Sequence, residues 1–511
     1  MKRLNINIIK GAVFFFSLFL ITSCDKNFEE INSNPNGIDP NTASPRRVMA
    51  TVQIYAFGEP RFITWRGNII YSSQFAHHYV YNFADMAWFP GTAYTNNQGW
   101  TDNVWESSNI KVAGHLNALR ELLDPEEDKE EVAVVKIISG WFYQKMTDMY
   151  GDIPYTDVAK PRTEVAYKPT YDAQKDIYKT IIEDLGAQMD VLQGASELSF
   201  STGDFLYQSS PANWIAFANT LRLRMALRSR DAFEAAGEGA FINGVITDAL
   251  ANPLIDESNE AVFHRAQEGL FLSDPNELMG GHEDVWFSFE YNQARWVLSD
   301  KVVNILQDNN DPRLEKIAME PDSVPGVYTG LEPNLVAPPK YGYVSKPTGL
   351  LRGEEKNDPV PAYIITAAES YFLQAEAALL GFAGDAESLY QSGIKAHMSY
   401  AGVDEADADN FITTEPIASL SGSTAENLEK VWRQRWLALL NNGYEAWALV
   451  RRTNLIPDQV GTQYLSNITD GSVPSRLVYP TSELTLNADN VAAANGGKPD
   501  LMTTSVWWDV D

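Results

Sequence analysis

Residues 130–149 read EEVAVVKIISGWFYQKMTDM, in which Val132, Val135, Ile138, Trp141, Phe142 and Met149 recur at three- and four-residue spacings. That is the period of one face of an α-helix, so the stretch predicts an amphipathic helix with an apolar stripe to bury. Gly151 and Pro154 follow within Gly151-Asp152-Ile153-Pro154-Tyr155, which reads as a helix stop and a fixed turn. Further along, Tyr171, Tyr178, Ile181, Ile182, Leu185, Met189 and Leu192 repeat the pattern over residues 171–193. A third helix starts where Ser210 can cap free amides and Pro211 costs no hydrogen bond, and it turns Trp214, Phe217, Leu221 and Met225 inward. Near 366–400, one face of Tyr371, Ala375, Ala378 and Leu379 is answered across Gly381 and Gly384 by Tyr390, Ile394 and Met398. A last helix is expected near 424–441, with Leu428, Val431, Trp432, Trp436, Leu439 and Leu440.

Helix, short glycine turn and helix is the pattern of tetratricopeptide pairs, although the 34-residue consensus is not strictly kept. The predicted fold is mostly α, a tetratricopeptide-like helical-pair scaffold. Residues 308–362, which hold nine prolines, and residues 455–511 break the periodicity. They predict a loop-rich face for a ligand or a partner.

The chain has 511 residues, 44% of them hydrophobic and 12% aromatic, enough for a large folded core. Its start belongs to another category. Lys2, Arg3 and Lys10 precede an apolar run from Gly11 to Ile21, too short to span a bilayer and typical of a secretory signal. Ile21-Thr22-Ser23-Cys24 resembles a lipobox, and Cys24 is the sole cysteine. Acylation accounts for a lone thiol that export would otherwise leave unpaired, and more than one acyl chain would hold the protein firmly. An ordinary export signal that happens to contain a cysteine is the competing reading. The expected organisation is a signal peptide at 1–23, a lipidated Cys24 with a flexible Asn/Pro-rich tether to residue 45, and one domain over 46–511. The formal charge of −29 disfavours nucleic acid as a partner.

The chain resembles the SusD/RagB family of nutrient-binding outer-membrane lipoproteins. The resemblance rests on motifs in order: Asn34-Pro35-Asn36, Tyr150-Gly151-Asp152-Ile153-Pro154-Tyr155, Tyr171-Asp172-Ala173-Gln174, and Trp214-Ile215-Ala216-Phe217-Ala218-Asn219 leading into Leu221-Arg222-Leu223-Arg224. Asp311-Pro312-Arg313-Leu314, Gln434-Arg435-Trp436, Gly443-Tyr444-Glu445-Ala446-Trp447, Arg451-Arg452 and Val506-Trp507-Trp508-Asp509 continue the series. It implies a SusD-like fold, anchorage on the outer membrane, and capture of oligosaccharide or peptide for a SusC-like TonB-dependent transporter. A structural or adhesion lipoprotein using the helices for protein contacts alone is the alternative.

A glycan site needs rings as platforms for sugar faces and neutral amides for hydroxyls. The stretch from Ala87 to Asp102 supplies both without any regular period, so it reads as a loop carrying Trp88, Tyr94, Asn96, Asn97 and Trp100 as ligand-binding candidates. A second cluster near 286–296 contributes Trp286 and Tyr291, while the aromatics from Tyr71 to Phe83 read more readily as core. Arg222, Arg224, Arg228 and Arg230 are expected on a solvated helix face, and Trp507-Trp508 to pin the tail. No G-x-S-x-G, H-E-x-x-H or Walker loop occurs, so no catalytic residue, metal or cofactor is expected. His77-His78 and His282-Glu283-Asp284 are expected at the surface, and Asp404, Asp407 and Asp409 lack the glycine and glutamate of a calcium loop.

Overall fold

The helix expected at 130–149 spans Lys129–Tyr150, and from Gly140 onward every residue is buried. A helix enclosed on all sides has no face to spare for water, so its polar residues Gln144, Lys145 and Asp148 need protein partners. The rest of the fold is arranged to supply them. The computed structural model describes residues 43–59, 63–82, 91–160, 164, 166–265, 289, 296–333, 341–354, 360–456 and 468–510. Pro45–Asp511 form one unit and Met1–Ser44 another. Cys24, the signal and almost all of the tether lie outside the described residues.

The chain is mostly helical. In order, the principal helices are α1 (Pro45–Ala56), α2 (Gln98–Ser108), α3 (Gly114–Glu121), α4 (Lys129–Tyr150), α5 (Gln174–Leu192), α6 (Pro211–Ala235), α7 (Gly239–Ala251), α8 (Asp300–Asp308), α9 (Ala367–Leu379), α10 (Ala386–Tyr400), α11 (Glu405–Thr414), α12 (Thr424–Ala438) and α13 (Gly443–Thr453). Helices α4 to α7 pack each on the next, and α9 packs on both α10 and α12. Local signals set several ends. Ser210 accepts from the Asn213 amide at the start of α6, Ser423 and Glu426 form a reciprocal capping box on α12, and α4 stops at Gly151. Among the described residues no helix is long and apolar enough to cross a membrane.

Two short antiparallel sheets tie distant segments together. Strand β1 (Tyr79–Tyr81) pairs with β3 (Trp296–Leu298), and β2 (Ala261–Phe263) pairs with β4 (Ala362–Ile365).

Three expectations need correction. The buried face of α9 is Phe372, Leu373, Ala375 and Ala377, whereas Tyr371, Ala378 and Leu379 are only half-buried. The sequence pattern predicts helix only from about residue 105, but helical structure begins at Pro45 and includes a π-helical stretch over Ile63–Ser72. Arg224 and Arg228 are not solvated, because carboxylates from other helices draw them into the core. Arg224 donates to Glu369 at 2.6 and 3.0 Å, Arg435 donates to Glu369 at 2.8 Å, and Arg228 bridges Asp148 and Glu445. Trp508 closes the group from the tail by donating to Asp148 at 2.7 Å, as the tail-pinning reading anticipates.

Candidate functional site

The π-helical stretch Ile63–Ser72 closes its backbone hydrogen bonds over five residues where an α-helix closes them over four, a form that recurs at functional sites. Asn68 anchors it, donating to the Asn441 carbonyl at 2.8 Å and accepting from the Gly443 amide at 3.0 Å. Tyr444 also donates to the Ile63 carbonyl at 2.9 Å. Eight of its ten residues are buried; Trp65 and Arg66 are the two that stay half-open.

Facing them is the segment from Gly91 into α2. Gly91 lies so close to the Ile70 carbonyl that a Cβ there would come within 1.8 Å of the oxygen. Thr92 accepts from the Tyr81 amide at 2.9 Å and bonds the Gln74 side chain. The Tyr71 hydroxyl accepts from the Asn97 amide at 3.1 Å, and burial pushes that phenol up to about 12, so it stays protonated. Thr101 donates to the Asn96 side chain at 2.6 Å, and Gln98 donates to the Tyr479 carbonyl at 3.0 Å. Apart from the internal Thr101–Asn96 bond these contacts run to other parts of the chain, so the segment is held along its length.

This arrangement places Trp65 and Trp100 with ring centroids 5.7 Å apart and planes at 39°, both half-buried. The Arg66 guanidinium lies 5.8 Å from one ring and 5.6 Å from the other. Asn96, Asn97 and Gln98 border the pair, and the Asn97 side chain makes no capping bond to α2. Two tilted rings with a cation and amides alongside can stack on sugar faces and bond hydroxyls or acyl oxygens.

Of the residues expected from the sequence, Asn96, Asn97 and Trp100 come together here, but Trp100 sits in the first turn of α2 rather than in a loop. The expected loop therefore ends at Asn97. Tyr94 requires a correction: it is 1% exposed, so its ring is no platform, and its hydroxyl is bonded to His77 Nε2. His77 and His78 are likewise buried rather than at the surface. Burial pushes His78 down to about 3, so the neutral ring donates from Nε2 to the Trp436 carbonyl at 2.9 Å. Trp88, Trp286 and Tyr291 lie outside the described residues, as does His282-Glu283-Asp284. The strands that flank those segments are paired, Tyr81 opposite Trp296 with rings 5.2 Å apart, so the chain leaves and enters the two stretches from neighbouring points.

Trp65 and Arg66 escaped the sequence reading. Two adjacent residues with no helical face of their own give no periodic signal, and Trp65 becomes legible only once Trp100 is beside it. Elsewhere, a cleft of about 490 Å³ between α8 and α12 is lined by Lys301, Asn304, Asp308 and Arg433. Its tryptophan, Trp436, is 2% exposed and offers no open ring. Among the described residues no group of three or more His, Cys, Asp or Glu side chains could hold a metal ion.

A profile of the SusD-like family, described as "Starch-binding associating with outer membrane", matches residues 62–480. Among solved structures, the chain is similar to a chitin-binding protein at 25% identity and a TM-score of 0.77, over 92% of this chain and 100% of that one. It is similar to a chitin-binding SusD homolog from Flavobacterium johnsoniae at 21% identity and a TM-score of 0.77, over 91% and 99% of the two chains. A SusD homolog from Bacteroides uniformis matches at 20% identity and a TM-score of 0.75, also over 91% and 99%. The last two likenesses bear on the fold alone. No curated protein matches the chain.

Proposed function

The chain belongs to the SusD-like family, and on that premise we propose that it binds a carbohydrate nutrient at the Trp65–Trp100 pair and delivers it to a SusC-like TonB-dependent transporter. The observation that carries the reading is the pair itself: two indoles from separate elements, left half-open beside the half-buried side chains of Arg66, Asn96, Asn97 and Gln98. A core-packing role would have closed both rings. Trp88, Trp286 and Tyr291 are proposed as further contacts, because their segments set out from the paired ends of β1 and β3.

The chitin-binding relative favours a glycan whose sugars carry acetamido groups. Asn96, Asn97 and Arg66 suit such a ligand, since amides and a guanidinium can bond an acetamido group as well as hydroxyls. In this reading Cys24 carries the lipid that holds the protein on the outer membrane. The protein transforms nothing, for binding and handing over require only a site that releases its ligand intact.

The test is calorimetry with N-acetylglucosamine oligomers, malto-oligosaccharides and peptides on the wild type, Trp65→Ala and Trp100→Ala. Each ring lost should weaken the preferred oligosaccharide about five- to tenfold, about 1–1.4 kcal/mol, with a nearly unchanged melting temperature. Equal binding by all three proteins would sink the platform. Peptide binding without glycan binding would redirect the function to peptide uptake.

A further inference from the structure

Tyr94 is closed to ligand, yet its backbone is held in the left-handed region at φ 51°, as is that of His77 at φ 57°. Tyrosine rarely adopts that conformation, histidine more readily, and where a tyrosine does the surroundings must enforce it. Here the two left-handed residues are joined to each other, Tyr94 hydroxyl to His77 Nε2, both 1% exposed. His77 is fixed in turn, since the Ser299 hydroxyl donates to its carbonyl and the Ser299 amide donates to the His78 carbonyl at 3.1 Å.

Beyond Tyr94 the chain runs straight into the site. Asn96 and Asn97 follow two and three residues later, and the Trp100 amide donates to the Asn97 carbonyl at 2.9 Å to begin α2. If Tyr94 relaxed to an ordinary negative φ, the chain leaving it would change direction. Asn96, Asn97 and the first turn of α2 would be displaced first.

We propose that His77 and Tyr94 form a strained latch that holds Asn96, Asn97 and Trp100 in the ligand-binding arrangement. They are positioning residues and touch no ligand. The proposal rests on the binding site described above. It differs from simple core packing in one respect: the Tyr94 ring meets Phe75 edge-on, at 5.9 Å and 74°, and that contact needs no hydroxyl. Packing alone would survive Tyr94→Phe, whereas the latch would not.

The experiment uses Tyr94→Phe in the full chain, with His77→Asn as a second variant, because asparagine tolerates the left-handed backbone while shortening the reach to Tyr94. Both should weaken the best N-acetylglucosamine oligomer about fivefold while still melting cooperatively. Hydrogen exchange at the amides of 94–101 should speed up, with exchange in α4 unchanged. In a double-mutant cycle, Asn97→Ala should cost less in the Tyr94→Phe background than in the wild type, because the latch acts through Asn97. Unchanged exchange at 94–101, or independent effects of Tyr94→Phe and Asn97→Ala, would overturn the latch. If the wild type binds no oligosaccharide, the platform reading falls alone, and the exchange measurement by itself decides the latch.

Discussion

Glu445 lies in the core facing the guanidinium groups of Arg224, Arg228 and Arg435. Burial by itself would raise its carboxyl, but the three arginines and a hydrogen bond from Gln144 outweigh it and bring the value from 4.5 down to about 2. A carboxylate whose folded value is depressed stabilises the fold above its unfolded value and loses that contribution as pH falls toward the folded one. Denaturation measured at several pH values should therefore show stability declining between about pH 4.5 and pH 2. Glu445→Gln should be less stable at neutral pH and flatter across that window; a parallel decline in both proteins would show that other carboxylates carry the acid sensitivity. The same group predicts the effect of removing one partner. Arg228→Met leaves Asp148 and Glu445 without their shared cation and should cost about 3–5 kcal/mol in chemical denaturation, well beyond the loss of an exposed pair.

At the scale of elements, α9 and α10 meet where Gly393 faces Phe372, so close that a Cβ would stand 2.6 Å from the ring. Two effects of Gly393→Ala oppose each other. Alanine favours the helix by about 1 kcal/mol, while forcing Phe372 out of a packed core costs about 1–3 kcal/mol. The contact is with a fully buried ring, so the clash should win and the melting temperature should fall; a rise would mean that the helices can part without loss. Ala375 and Ala378 are the small residues of the face expected from the sequence, yet the close approach is made by Gly393. The α9 face is also turned by one residue from the expected one. Ala375 belongs to both faces, and a pattern rich in alanine and aromatics leaves the angle of the stripe poorly defined.

At the scale of the molecule, the tail and the buried charges form one construction. Trp508 bonds Asp148 of α4, and Arg451 of α13 lies 4.7 Å from the Trp508 ring and 3.9 Å from Trp447. Trp508→Ala should cost about 3–5 kcal/mol, because it opens a cavity and deprives Asp148 of a donor. Denaturation of a variant that left the transition unmoved would show the tail to be ornamental. The other end of the chain predicts a location. Replacing Cys24 with Ala should release the protein from the membrane fraction and abolish fatty-acid labelling; retention without a label would remove the lipid anchor from the account.

By itself the sequence determined what depends on neighbours along the chain: the helical period of 130–149, the Ser210 cap, the stop at Gly151, and the order of motifs that points to the family. Tertiary structure alone decided which polar residues are enclosed and which rings stay open. Arg224 finds Glu369 145 residues on, and Arg228 finds Glu445 217 residues on. No local pattern distinguishes such arginines from solvated ones, because the desolvation penalty and its compensation arise only when the helices pack. Tyr94 and Trp100 likewise share one aromatic-rich stretch, yet one is sealed by His77 and Phe75 while the other meets Trp65 at the surface. Composition marks a stretch as able to bind, but burial is a property of what the rest of the chain places over it.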